Sequence, residues 1–282
     1  ILILLPYVAA VFRTGSMSGT EEPARQAGVE DLVAEILPAQ MPVSYEEEAL
    51  KAQAVIVRTN LLRQAMSFYG NGTAAEAASA VRESDLEALG FTFYPREEQI
   101  KLWGYDSWEQ YAEKCGKAAE STAGQVLVTE AAEEEGTLPD LPYHAVSAGR
   151  TRGGSLLGED YSWLESAECP DDLQSSDYLK IETLDLDEVP QIVSRDEAGY
   201  VTEVSVQGET LGGEEFRSLY GLNSSCFTAE QTETGGVRIT TKGLGHGLGM
   251  SMYQANLLAL EGMQYQEILH YFYKNPQCIS FS

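Results

Sequence analysis

The chain has 282 residues, 43% of them hydrophobic and 9% aromatic, so it is long enough to bury a core as one large domain or as two lobes. Eighteen lysine and arginine residues against 44 aspartate and glutamate residues give a net charge of −26. A surface this acidic repels nucleic acid and anionic lipid headgroups, which excludes nucleic-acid binding.

The chain opens on an uncharged run, ILILLPYVAAVF, followed by a polar segment rich in glycine, serine, threonine and glutamate. A membrane-spanning helix needs about 20 apolar residues, so this run alone is too short. It is either the end of a longer anchor or a buried strand, and the linker-like segment behind it favours the anchor. We therefore predict a truncated membrane anchor and polar linker over residues 1–30 and a folded domain over 31–282.

The clearest predicted helix covers residues 44–65. Apolar residues recur there on one stripe at helical spacing: Leu50, Ala54, Val57 and Leu61. Ser44 with Glu47 three residues later fits a capping box, and neighbouring carboxylates suit the positive end of a helix. This pattern already explains Glu46, Glu47 and Glu48 as helix-start residues.

Residues 71–122 read as a polar, mainly helical insertion with aromatic residues at 103, 105 and 108, and this region is able to pack on itself. From Gly124 onward, short strands and turns take over, beginning with GQVLVTE. The stretch GEEFRSLYGL predicts a short helix that ends at Gly221. The stretch YQEILHYFY predicts a last helix. Strands and helices do not alternate regularly, so we predict an α+β fold with a mixed or antiparallel sheet and packed helices.

The chain has only four cysteines and three histidines, so each can be considered separately. The four cysteines at 115, 169, 226 and 278 contain no C-x-x-C pair, which argues against a zinc site, and their disulfide state stays open. His270 lies in an apolar helical turn and is assigned to packing. His144, in YHAVSAGRTRGG, and His246, in GLGHGLGM, lie in glycine-rich loops that serve either ligand binding or tight-turn architecture.

Three stretches together resemble the signature blocks of the stage II sporulation protein D family, also called the SpoIID/LytB domain. They are MPVSYEEEALKAQAVIVRTN, YHAVSAGRTRGG and GLGHGLGMSMYQANLLALEGMQYQEILHYFY, with GETLGGEEFRSLYGLNSSCF as a looser fourth block. The resemblance covers roughly residues 31–275. It implies a protein anchored outside the cytoplasmic membrane that acts on peptidoglycan glycan strands, with two lobes around a glycan-binding cleft.

The family's enzymes are lytic transglycosylases, which cut glycan strands freed of stem peptides and leave a 1,6-anhydro sugar. Other relatives enhance cell-wall amidases, so the implied partners are glycan strands, an amidase and the membrane proteins of engulfment. No cofactor is implied. Some members carry zinc near the YHA block, but no His or Cys lies between His144 and Cys169, and we predict no metal.

A lytic transglycosylase works with a single acid, which protonates the leaving oxygen and must be held protonated by its surroundings. In the family this acid is the glutamate immediately before Met-Pro, and here that position is Gln40. Glutamine has nearly the shape of glutamate but no proton to give. Glu48, which matches an ordinary family glutamate, and Glu35 are the possible substitutes, and we expect cleavage to be impaired.

The resemblance also implies a set of substrate-binding residues, namely Lys51, Arg58, His144, Ser147, Thr151, His246 and Ser251. We expect the helix and the two glycine-rich loops to line one cleft that converges on Gln40. Met252 and Gln254 depart from the family pattern. Three classes of function follow: a glycan-cleaving enzyme, a non-catalytic wall-binding or amidase-stimulating protein, and a structural member of a wall-remodelling complex.

Overall fold

The structure is a computed structural model that describes residues 28–70, 72–128, 137–156, 158, 161, 163–233 and 235–281. The α-helices in this part of the chain are α1 (Val29–Gln40), α2 (Glu47–Tyr69), α3 (Ala74–Ala80), α4 (Arg96–Trp103), α5 (Tyr105–Ser121), α6 (Gly213–Tyr220), α7 (Met252–Leu260) and α8 (Tyr265–Phe272). The strands are β1 (Gln125–Val128), β2 (Tyr143–His144), β3 (Leu179–Leu184), β4 (Gln191–Arg195), β5 (Val201–Val206), β6 (Glu209–Gly212), β7 (Phe227–Gln231), β8 (Val237–Lys242), β9 (Met250–Ser251) and β10 (Gln277–Ser280).

Helix α2 is the centre of the larger hydrophobic core. It is buried on most of its circumference, against α1, α5, α7, α8 and β1. Its start differs from the prediction, because the helix begins at Glu47 and Ser44 caps nothing. The Glu46 backbone N–H instead donates to the Asn256 side chain at 2.7 Å. The predicted capping box is therefore wrong, since a residue from α7 supplies the cap across the tertiary fold.

The segment 71–122 does not pack only on itself. Helix α5 lies against α1 and α2, and Cys115, Ala118 and Ala119 are buried in the same core as α2. Small side chains at these positions let the helices approach closely. The helical character of the segment agrees with the sequence pattern, while its last helix is part of the main core.

The α+β class is confirmed, but the strands form four small sheets. Strands β1 and β10 pair antiparallel, β2 and β9 pair parallel, and the orders β3-β8-β7 and β4-β5-β6 are antiparallel. A second, smaller hydrophobic cluster lies among β5, β7, β8 and α6, around Val204, Phe216 and Phe227. Strand β10 was not predicted, and it covers the edge of β1.

The predicted anchor over residues 1–30 falls almost entirely on residues 1–27, which lie outside the described residues. In the described part of the chain, no helix combines the length and hydropathy needed to cross a bilayer.

Cysteines 115, 169, 226 and 278 are all free thiols, the first two of them buried. His270 is exposed, so its assignment to packing is wrong; Ile268 and Leu269 fill the core beside it.

Candidate functional site

Gln40 is the last residue of α1, and both ends of its side-chain amide are engaged. The Tyr143 hydroxyl donates to Gln40 Oε1 at 2.6 Å, and Gln40 Nε2 donates to the Thr92 carbonyl oxygen at 3.1 Å. One partner is therefore a donor and the other an acceptor. A protonated carboxylic acid would satisfy the same two partners, whereas a carboxylate would set a negative oxygen against the Thr92 carbonyl. The position is thus arranged for a side chain that accepts with one atom and donates with the other.

The β2–β9 pair connects Gln40 to the two glycine-rich loops. Tyr143 pairs with Met250 and His144 with Ser251. Because successive side chains of a strand point to opposite faces, Tyr143 reaches Gln40 while His144 faces away from it. The His144 and His246 rings lie 5.8 Å apart between centroids. The predicted site residues therefore form two groups, one around Gln40 and one around the histidines.

Both histidines of the second group are held neutral. His144 Nδ1 donates to the Leu248 carbonyl at 3.0 Å, which leaves its buried Nε2 without a partner in the described structure. The Leu248 N–H donates to His246 Nδ1 at 3.1 Å. Burial, with His246 as a second cause, lowers the pKa of His144 to about 3, and burial also lowers the pKa of His246. Both shifts favour the neutral form of the ring.

Asp172 ties the loop that follows β2 to strand β9, and sequence reasoning missed it. The Ser147 N–H donates to Asp172 Oδ2 at 2.7 Å, and Ser251 Oγ lies 2.9 and 2.8 Å from the two carboxylate oxygens. All three residues are fully buried. Burial raises the pKa of Asp172 to about 6, against the opposing effect of the serine hydrogen bonds. Ser147 and Ser251, predicted to bind substrate, instead face this carboxylate and hold the two segments together.

The glycines of the second loop permit close packing within the protein. A Cβ on Gly249 would lie 1.8 Å from the Pro142 carbonyl oxygen, and one on Gly247 would lie 2.4 Å from the Tyr200 ring. Both glycines have positive φ, +68° and +78°. Of the two roles left open by the sequence, tight-turn architecture is therefore the one that these contacts require. We call residues 243–249 the glycine loop.

Arg152 anchors the glycine loop to the smaller core. Its Nε donates to Asp196 Oδ2 at 2.6 Å, and its Nη1 to Glu214 at 2.9 Å and to the His246 carbonyl at 3.3 Å. The guanidinium also stacks over the Tyr200 ring at 5.0 Å. Arg152 was not among the predicted site residues, and its partners come from segments 44 and 62 residues away.

Arg58 and Thr151 also have structural partners in place of a ligand. Arg58 is fully buried and pairs with Glu30, and its guanidinium donates to the carbonyls of Ala119 and Gln125 at 2.9 and 3.1 Å. The Thr151 hydroxyl is buried and accepts from the Ala167 N–H. The prediction that these two residues contact substrate does not fit their placement, because neither side chain reaches solvent.

Glu48 and Glu35, the two candidate substitute acids, differ in their hydrogen-bond partners. Glu48 accepts from Lys51 Nζ at 2.7 Å and from the Tyr265 N–H at 3.0 Å, which makes it a structural carboxylate of the α2 start. Glu35 has a buried Oε2 with no hydrogen-bond partner among the described residues, and burial, helped by the charges of Glu83 and Asp31, raises its pKa to about 7. It precedes Gln40 by five residues, which is about 7.5 Å along a helix and on a different face. No group of His, Cys, Asp and Glu suited to a metal ion occurs among the described residues.

Comparisons with known proteins identify the family of this chain. The family model for the stage II sporulation protein, SpoIID, matches residues 18–128. Stage II sporulation protein D of Bacillus amyloliquefaciens is 30% identical over 292 aligned positions, which cover 95% of this chain and 78% of that protein. Stage II sporulation protein D of Bacillus subtilis strain 168 is 29% identical, over 96% of this chain and 79% of that protein. The chain therefore belongs to the stage II sporulation protein D family.

Proposed function

We propose that this protein binds peptidoglycan glycan strands during sporulation-type remodelling of the cell wall and cleaves them weakly or not at all. Membership of the sporulation protein D family supports the proposed role in sporulation-type remodelling of the cell wall. The observation that carries the proposal of weak or absent cleavage is the Gln40 amide, which lies between the Tyr143 hydroxyl and the Thr92 carbonyl. Gln40 occupies the family's general-acid position.

The chemistry of a lytic transglycosylase explains why glutamine impairs it. One protonated carboxyl gives its proton to the leaving glycosidic oxygen and then receives a proton from the sugar's own 6-hydroxyl as that hydroxyl attacks the anomeric carbon. The Gln40 amide has the same donor and acceptor pattern as the protonated acid, so it keeps the shape and the hydrogen bonds of the site. An amide N–H does not transfer its proton at neutral pH, so binding survives and proton transfer is lost.

We place the glycan in a cleft between the larger core and the smaller cluster, with Gln40 at its wall. Among the predicted contact residues, Lys51 and His246 are partly exposed, and they stay in the proposed contact set. We further propose that the protein works outside the cytoplasmic membrane, anchored by its N-terminal segment. A cell-wall amidase and membrane proteins of engulfment are its proposed partners.

The decisive experiment compares the wild type with Gln40→Glu and Gln40→Ala on glycan strands freed of stem peptides. General-acid catalysis contributes about 10²- to 10⁴-fold in rate, so we expect Gln40→Glu to release 1,6-anhydro products faster by a factor in that range. Mass spectrometry detects the anhydro ends. The Thr92 carbonyl favours the protonated form of the introduced carboxyl, which is the form that a general acid needs.

An active enzyme with another acid is the second candidate, and the raised pKa of Glu35 favours it. Under this alternative the wild type and Gln40→Ala cleave equally well and Glu35→Gln abolishes cleavage. That result would overturn the impaired-enzyme proposal. If every variant binds glycan without cleaving it, an amidase enhancer or scaffold is the remaining role, and stimulation of a purified amidase on intact wall tests it.

A further inference from the structure

The loop over residues 87–93 stands beside Gln40 and has a defined shape. A hydrogen bond of 2.8 Å from the Phe91 N–H to the Leu86 carbonyl closes a turn, and Gly90 within it has φ +82°. The turn reverses the chain so that the Thr92 carbonyl meets Gln40. The loop is therefore part of the wall around the family's general-acid position.

A cavity of about 330 Å³ opens on this loop, lined by Glu87, Gly90, Phe91, Thr92 and Phe93. Phe91 and Phe93 are half-buried and pack on one side against the larger core. Glu87 is exposed, and it has no ion-pair partner among the residues that the structure describes. The lining residues thus include two phenylalanines, one acidic residue and Thr92, and no lysine or arginine is among them.

The far end of the loop is held in place by a buried side chain. Gln99 is 5% exposed, and its Nε2 donates to the Tyr94 carbonyl at 2.6 Å while its Oε1 accepts from Trp108 Nε1 at 3.1 Å. The Arg96 guanidinium covers the Trp108 ring at 4.4 Å. Because the insertion helices fix the loop in this way, the cavity is formed before any ligand arrives.

We propose that this cavity is a subsite for a neutral N-acetylated sugar unit of the glycan, an inference that rests on the proposed function. Aromatic rings suit the apolar face of a pyranose, and the Glu87 carboxylate and the second lone pair of the Thr92 carbonyl suit hydroxyl and amide donors. The two alternating sugars of peptidoglycan differ by a lactyl carboxylate. Glu87 repels that group, so the subsite takes the N-acetylglucosamine unit and sets the register of the strand against Gln40.

The test is calorimetric titration with chitotetraose, a neutral N-acetylglucosamine oligomer, and with a denuded peptidoglycan tetrasaccharide that carries lactyl carboxylates. We expect Phe93→Leu to weaken chitotetraose binding about fivefold through the loss of aromatic stacking. We expect Glu87→Gln to weaken chitotetraose binding about threefold and to leave binding of the lactyl-bearing tetrasaccharide unchanged or improved. Phe68→Leu, an exposed aromatic outside the cavity, is the matched control and should bind as the wild type does.

The outcomes separate the subsite from the proposed function. If the wild type binds neither oligosaccharide, the proposed function fails and the subsite with it. If the wild type binds glycan while Phe93→Leu and Glu87→Gln match its affinity and its preference, only the subsite is overturned. Glu87 is exposed, so its variant gives a clear result even if replacement of the half-buried Phe93 disturbs folding.

Discussion

The neighbourhood of Gln40 and the joint between the two glycine-rich loops meet at adjacent residues, Tyr143 and His144, yet their polar groups are satisfied differently. Around Gln40 the amide has two partners and a cavity opens on the neighbouring loop. At the joint, which comprises His144, His246, Ser147, Asp172 and Ser251, nearly every group faces another protein group and most side chains are buried. A family signature can therefore mark either a place beside an open cavity or a place where two segments of the chain pack against each other.

Gly249→Ala should break the joint most severely. A Cβ there would lie 1.8 Å from the Pro142 carbonyl oxygen, so the backbone would have to move. We expect a loss of about 4 kcal/mol or more in unfolding free energy, measured by chemical denaturation. Gly70→Ala is the matched control, because Gly70 has nearly the same φ, +67°, with nothing within 4 Å. Equal losses in the two variants would show that backbone strain alone, without packing, explains the glycine.

Asp172→Ala should cause the next largest loss of unfolding free energy. It leaves the buried Ser147 N–H and Ser251 hydroxyl without their acceptor, at a cost of about 3 kcal/mol. Thermal and denaturant unfolding measure this loss, and the exposed Asp177→Ala is the control, with an expected change below about 0.5 kcal/mol. A loss of glycan binding with full stability would instead support the predicted substrate-binding role of Ser147 and Ser251.

The neutral histidines predict a pH dependence of stability. His144 has a lowered pKa, so its contribution is present above its unfolded value near 6.5 and is lost as the pH falls toward about 3. We expect the wild type to lose about 2 kcal/mol from this residue between pH 7 and pH 5, and His144→Asn to lose much less. Asn preserves a donor toward the Leu248 carbonyl.

The exposed His270→Asn is the control for that experiment, and it should follow the wild-type curve. The raised pKa values of Glu35 and Asp172 act in the opposite direction, since their contributions increase as the pH falls. The difference between the wild type and His144→Asn isolates the histidine from both. Parallel curves for these two proteins would contradict a buried neutral ring at position 144.

Tyr143→Phe should have the smallest effect on stability, about 1 kcal/mol, and its main effect on chemistry. In the Gln40→Glu background the Tyr143 hydroxyl would donate to the introduced carboxyl and favour its ionised form. Its removal should raise the pKa of that carboxyl and move the alkaline limb of the pH-rate profile upward. Tyr271→Phe, whose hydroxyl donates to the Glu168 carbonyl, is the control. If the alkaline limb of the pH-rate profile stays in place, the Tyr143 hydroxyl does not influence the pKa of the reacting acid.

The sequence by itself determined the elements whose signals are local. The strand Gln125–Val128, the helix Gly213–Tyr220 closed by Gly221, and the helix Tyr265–Phe272 appear where the pattern predicted them. These features depend on backbone preferences and on apolar residues a few positions apart. The signature blocks likewise led to the family, and they singled out Gln40 as the residue on which the proposed function rests.

Only the tertiary structure decided what the polar residues do. The cap of α2 comes from Asn256, the partner of Ser147 and Ser251 is Asp172, and the partners of Arg152 come from two other segments. A hydrogen bond requires two atoms to meet at a defined distance and angle, and nothing in the local pattern of one segment specifies which distant segment brings the other atom. For that reason the sequence placed Arg58, Ser147, Thr151 and Ser251 in the site, while the fold uses them to hold it together.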